Sequence, residues 1–94
     1  MNILYKSVFK KFVKKHSRPF QLVIEDEVER IINNPSIGAE KKGDLTGFRV
    51  HKFKFHSQEY LIAYKMQGNV ILFYMIDTHE NFYRKLKRYI REVE

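Results

Sequence analysis

Apolar residues recur at two different periods along this chain, and the change of period divides it. From Ser7, a plausible N-cap, Phe9, Phe12, Val13 and His16 follow helical spacing with Val8 flanking, while Lys10, Lys11, Lys14 and Lys15 fall mostly on the other side. Ser17-Arg18-Pro19 breaks this helix and starts another, since proline is tolerated in a first helical turn. Phe20, Ile24, Val28, Ile31 and Ile32 mark one face of that second helix, and Glu25, Asp26, Glu27 and Glu29 make its outer side acidic. Asn33-Asn34-Pro35 ends it, because a residue before proline is pushed out of the α region. Two adjacent helices of opposite charge joined by a short turn predict an antiparallel hairpin. Ahead of them Asn2 to Tyr5 is short, apolar and β-compatible, and is expected to form a sheet edge.

The second half changes to strand spacing. The stretch 35–47 is read as an irregular connection with a basic tip at Lys41 and Lys42; it lacks the GK[ST] ending of a phosphate-binding loop. Three strands follow, at about 48–55, 60–66 and 70–76, with turns at 56–59 and 67–69. Asp77-Thr78 is expected to cap a final helix with an apolar stripe of Phe82, Leu86, Tyr89 or Ile90, and Val93. Its other side carries Arg84, Lys85, Lys87, Arg88 and Arg91. The expectation is a single α+β domain: a helical hairpin on a small twisted antiparallel sheet, closed by a C-terminal helix.

Composition narrows the function. A chain of 94 residues supports one modest core. Without cysteine there is no disulfide, thiolate metal site or cysteine nucleophile. The four histidines show no metal-ligand spacing, so no metal or other cofactor is expected. Met1 to Lys6 shows neither the long apolar run nor the cleavage site of a signal peptide, and no apolar run approaches the ~20 residues that span a bilayer; a cytoplasmic protein with no membrane partner is expected. A formal charge of +7 points to a polyanionic partner, nucleic acid or an acidic protein.

The first strand locates that charge. Alternation puts Phe48, Val50, Lys52 and Lys54 on one face and Arg49, His51, Phe53 and Phe55 on the other. Lys52 and Lys54 either guard an edge against aggregation or face a phosphate. A helical pair, the connection Gly43-Asp44-Leu45-Thr46-Gly47, a Lys-x-Lys strand and the terminal Thr78-His79-Glu80-Asn81-Phe82-Tyr83-Arg84 together resemble the RelE/ParE superfamily of type II toxins. The resemblance covers nearly the whole chain and implies a microbial-ribonuclease-like fold.

In the RelE branch the resemblance implies a metal-independent endoribonuclease that cuts mRNA on the ribosome, and a cognate antitoxin whose acidic, amphipathic segment masks the groove. In the ParE branch the implied target is DNA gyrase, with no RNA cleavage; a catalytically inactive, antitoxin-binding member is the remaining alternative. Cutting RNA without a metal needs a base for the 2′-hydroxyl, an acid for the leaving 5′-oxygen, and cations for the phosphorane. By the resemblance Lys52, Lys54, His79 and Tyr83 are the catalytic candidates; four residues apart, His79 and Tyr83 would share a helical face. Arg49, His51, Arg84 and Lys87 are candidates for phosphate contacts, although His51 and His56 also suit structural roles. In one respect the chain departs from RelE: Leu61 stands where that branch has an arginine, just after the tyrosine of the second strand.

Overall fold

Five strands form one sheet in the order β1-β5-β4-β3-β2 in the computed structural model, which describes residues 2–93, the side chain of Val93 excepted. The strands are β1 (Asn2–Tyr5), β2 (Ala39–Glu40), β3 (Phe48–Phe55), β4 (Gln58–Gln67) and β5 (Val70–Thr78). The helices are α1 (Ser7–Lys14), α2 (Arg18–Asn33) and α3 (Phe82–Val93). The fold is the α+β arrangement expected from the sequence, with one correction. β1 forms the expected edge but pairs parallel to β5, so the sheet is mixed; its other three ladders are antiparallel.

Local chemistry accounts for most element boundaries. Ser17 is the N-cap of α2, its hydroxyl accepting from the Phe20 N–H at 3.4 Å, with proline in the first turn. Ser7 does not cap α1: the N-cap is Lys6, which makes no side-chain cap, and Ser7 is already helical. The segment read as irregular contains β2 and a 3-10 turn at Gly43–Leu45. Gly38 lies against Tyr64, where a Cβ would stand 2.7 Å from the phenol oxygen, so only glycine fits. The Tyr64 hydroxyl donates to the Pro35 carbonyl at 2.7 Å and accepts from the Gly38 N–H at 2.9 Å, fastening this segment to the sheet. Burial pushes the Tyr64 phenol above its ordinary pKa.

Two features of the sheet decide what sits at its end. The β3–β4 connection is His56 and Ser57 alone, with φ of 50° and 65°, so β4 starts at Gln58 and not near Tyr60. Two left-handed residues in a two-residue loop are the turn whose twist suits a hairpin. The expected signal for it, glycine or asparagine, is absent here. In β5, Ala63 pairs with Met75 and Tyr64 with Phe73, which leaves Tyr74 as a bulge. Phe73 therefore packs with the α1–α2 side, while Tyr74 and Met75 both join the α3 side. Past the bulge the alternation is shifted, so Asp77 lies on the α3 face of the sheet and pairs with Lys85. Asp77 and Thr78 belong to β5 and do not cap a helix; α3 begins only at Phe82.

The sheet separates two apolar clusters. One joins Phe9, Phe20, Ile24 and Ile31 from α1 and α2 to Phe53, Ile62 and Phe73 of the sheet. The other joins Phe82 and Leu86 of α3 to Leu45, Phe48, Val50, Leu61 and Tyr74. Tyr89 and Ile90 of the expected α3 stripe are half-buried against this second cluster, and the side chain of Val93 lies outside the described residues.

Candidate functional site

The α3 face of the sheet changes from apolar to charged along its strands. Val50 and Ala63 are paired and buried, and Met75 continues their row. The next row pairs Lys52 with Leu61 and Leu61 with Asp77. The row beyond pairs Lys54 with Glu59, and the His79 N–H extends the ladder by donating to the Glu59 carbonyl at 3.1 Å. Lys52 and Lys54 are exposed. Across three strands, roughly 10 Å at the usual strand spacing, this end of the sheet presents two ammonium groups, two carboxylates and an imidazole.

The carboxylates have defined partners. Glu59 Oε1 lies 3.9 Å from His79 Nε2, within ion-pair reach. Asp77 Oδ2 accepts from Lys85 Nζ at 2.9 Å, and its Oδ1 accepts from the Thr78 N–H at 2.7 Å. Both oxygens of Asp77 are thus occupied, and this ion pair ties the first turns of α3 to the end of β5. Asp77 is largely covered, its side chain 18% exposed, whereas His79 is 54% exposed and open to a ligand.

The residues singled out in the sequence divide into three groups. Lys52, Lys54 and His79 lie at the same end of the sheet. His79, however, lies in the turn before α3, so the shared helical face proposed for His79 and Tyr83 does not exist. Tyr83 stands in the first turn of α3, half-buried, with Lys41 Nζ 5.3 Å from its ring centroid. Arg84 is exposed beside it and donates to the Asn81 side-chain carbonyl at 2.9 Å. Lys87 is exposed a turn further along α3, where it borders a shallow hollow with Asp44, Ile90 and Arg91.

Arg49 and His51 lie on the opposite face and leave the group. Arg49 Nη1 donates to the carbonyls of Gly38 at 2.8 Å and Ser36 at 3.3 Å, holding the segment before β3. His51 is buried, its Nε2 2.7 Å from Glu27 Oε1 of α2. Both side chains are committed to the fold, and neither faces the same solvent as Lys52. His56 is exposed in the β3–β4 turn.

Glu59, Asp77 and Lys85 are site residues that the sequence pattern does not single out. Glu59 reads there as part of a turn and Asp77 as a helix cap, because neither the short hairpin nor the bulge has a residue signature in this chain. Lys85 reads as one basic residue of α3 among several. Leu61 is 1% exposed within the second cluster. The position where the RelE pattern carries an arginine is here a core position.

A different concavity separates α1 from α2. It encloses about 620 Å³ and is floored by Phe9, Ile24 and Val28, with Lys10 and Lys14 on one wall and Glu25 and Glu29 on the other. Its cations and carboxylates stand on opposite walls over an apolar floor. The charged end of the sheet is the better candidate for chemistry.

Comparison with known proteins agrees with this fold. A family model described as the ParE-like toxin of the type II bacterial toxin-antitoxin system matches residues 3–87. Among solved structures, the fold is similar to a chain of the intact E. coli RelBE toxin-antitoxin complex, at TM-score 0.66 and 16% identity over 84% of this chain and 96% of that one. It is also similar to the isolated E. coli RelE toxin, at TM-score 0.63 and 16% identity over 94% and 97%. No curated protein matches the chain in sequence. With a family model that spans most of its length, this chain belongs to the ParE-like toxins of type II toxin-antitoxin systems, within the RelE/ParE superfamily.

Proposed function

We propose that this toxin is an endoribonuclease that cuts mRNA on the ribosome with its own side chains. The observation that carries this reading is the convergence of Lys52, Lys54, Glu59 and His79 on one solvent-facing end of the sheet. In the proposed step the Glu59 carboxylate takes the proton of a ribose 2′-hydroxyl. The freed oxygen attacks the adjacent phosphorus, forming the O2′–P bond. Lys52 and Lys54 stabilise the charge that builds on the phosphorane oxygens. The P–O5′ bond then breaks, and protonated His79 gives its proton to the leaving oxygen, which leaves a 2′,3′-cyclic phosphate and a 5′-hydroxyl. Tyr83 and Arg84, at the start of α3, are assigned to stacking on a base and to a flanking phosphate. The proposed partner is an antitoxin whose acidic, amphipathic segment covers these cations.

Primer extension on a reporter mRNA, with and without programmed ribosomes, tests the reading. Cuts that need ribosomes and vanish in Lys52→Ala/His79→Ala are expected. Cuts on naked RNA would make the protein a free ribonuclease, and no cuts in either condition would overturn the nuclease reading. A second reading, inhibition of DNA gyrase through protein binding, is favoured by the ParE-like family model and by the buried Leu61. It predicts intact mRNA together with a gyrase block that survives the same double substitution.

A further inference from the structure

The lysines of α1 divide between two clefts. β1 runs beside β5 only as far as Tyr5 and Phe73; the Lys6 N–H then donates to the Phe73 carbonyl at 2.8 Å and the chain turns into α1. From there α1 takes the place of a strand along the outer edge of β5. Lys10 and Lys14 face the α1–α2 groove, where Glu25 and Glu29 oppose them. Lys11 and Lys15, one turn apart, instead border a cleft of about 260 Å³ with Met75, Ile76, Asp77 and Lys85.

This cleft adjoins the candidate site, because Asp77 belongs to both. It holds three lysines against a single carboxylate whose two oxygens are already engaged by Lys85 and the Thr78 N–H. Among the described residues neither Lys11 nor Lys15 has a carboxylate within ion-pair distance. Lys15 Nζ rests 5.5 Å from the Phe12 ring centroid, which holds its stem against the cleft wall. The remaining charge suits an anion, and the floor of Met75 and Ile76 suits the apolar face of a sugar or base.

We infer that Lys11, Lys15 and Lys85 bind a second phosphate of the RNA strand whose scissile phosphate lies over Lys52 and Lys54. The strand would cross the end of the sheet from β3 to β5 and pass into the cleft between α1 and α3. This inference rests on the nuclease reading, and the two fail separately.

The test measures binding of a short single-stranded RNA, 2′-O-methylated at every ribose so that it cannot be cleaved, by fluorescence anisotropy across a salt series. The variants are Lys11→Gln/Lys15→Gln and, as a control of equal charge on the same helix, Lys10→Gln/Lys14→Gln. All four lysines are exposed, so both variants should melt as the parent does. The expected result is about tenfold weaker binding for the first variant alone. Its log–log salt dependence should also flatten by about 0.7, the value of one single-strand phosphate contact. Equal losses in both variants, no loss in either, or no binding by the parent would overturn the inference. Ribosome-dependent cuts lost in Lys52→Ala/His79→Ala would leave the nuclease reading standing in each of those cases.

Discussion

The two faces of the sheet are built from the same three long strands but covered differently. On one face α1 and α2 bury Phe9, Phe20, Ile24, Ile31, Ile62 and Phe73 to 3% exposure or less. Polar side chains there are turned to structure: His51 pairs with Glu27, and Arg49 holds two carbonyls. On the other face α3 is the main cover, joined by Leu45 of the 3-10 turn and Val8 of α1. The twelve residues of α3 span about 18 Å, whereas the eight residues of β3 run about 26 Å, so one end of the strands stays uncovered. An uncovered sheet end must be polar, and this one carries charges of both signs. One main covering helix thus leaves room for a site where two helices leave a core.

The largest contrast between the faces should appear on truncation. Phe73→Ala removes a fully buried ring from the two-helix face and is expected to cost about 3–5 kcal/mol in urea denaturation. Lys52→Ala/Lys54→Ala on the open face should change stability by no more than about 0.5 kcal/mol per site. Ribosome-dependent cleavage by that variant should fall about 10²–10³-fold, as expected when charge stabilisation of a transition state is removed. A large loss of stability there, with cleavage intact, would break the comparison.

A smaller effect separates structural from functional polar groups. His51→Leu leaves the Glu27 carboxylate half-buried without its partner and should cost about 1–3 kcal/mol. It should not change cleavage by the molecules that remain folded. If cleavage fell in proportion to a catalytic loss, His51 would belong to the site after all.

The smallest effect concerns His16, beside the end of α1. Among the described residues its buried Nε2 has no hydrogen-bond partner, and its ring packs 4.2 Å from Phe12 and 5.0 Å from Phe20 between centroids. Burial, aided by the neighbouring Lys15, lowers its pKa, with Asp77 acting in the opposite direction. The unfolded chain therefore takes up this proton more readily than the native one. The stability that neutral His16 contributes is fully present above its unfolded pKa of about 6.5, and it declines as the pH falls below that value. His16→Phe should lose less melting temperature on acidification than the parent; an identical slope would show that His16 is not the responsible group.

Much of this protein was legible before folding. Helical spacing located the apolar faces of α1 and α2, because a helix that packs on one side must repeat near every fourth residue. Alternation along β3 placed Lys52 and Lys54 on one face and Arg49 and His51 on the other, and the structure keeps that division. The turn-forming residues at 67–69 marked the second hairpin, with Gly68 at φ 57°. These features are local, and the periods and turn propensities that create them are written residue by residue.

What only the tertiary structure decided is which of those residues meet. A left-handed His56-Ser57 turn aligned Lys54 with Glu59, and the bulge at Tyr74 carried Asp77 across the sheet to Lys85. Neither has a dedicated residue type here, since each is imposed by packing on both sides of the strands. The parallel pairing of β1, and with it the position of α1 along the edge of β5, joins segments about seventy residues apart. Burial of two apolar faces at once selects such long-range pairing, and no local period encodes it.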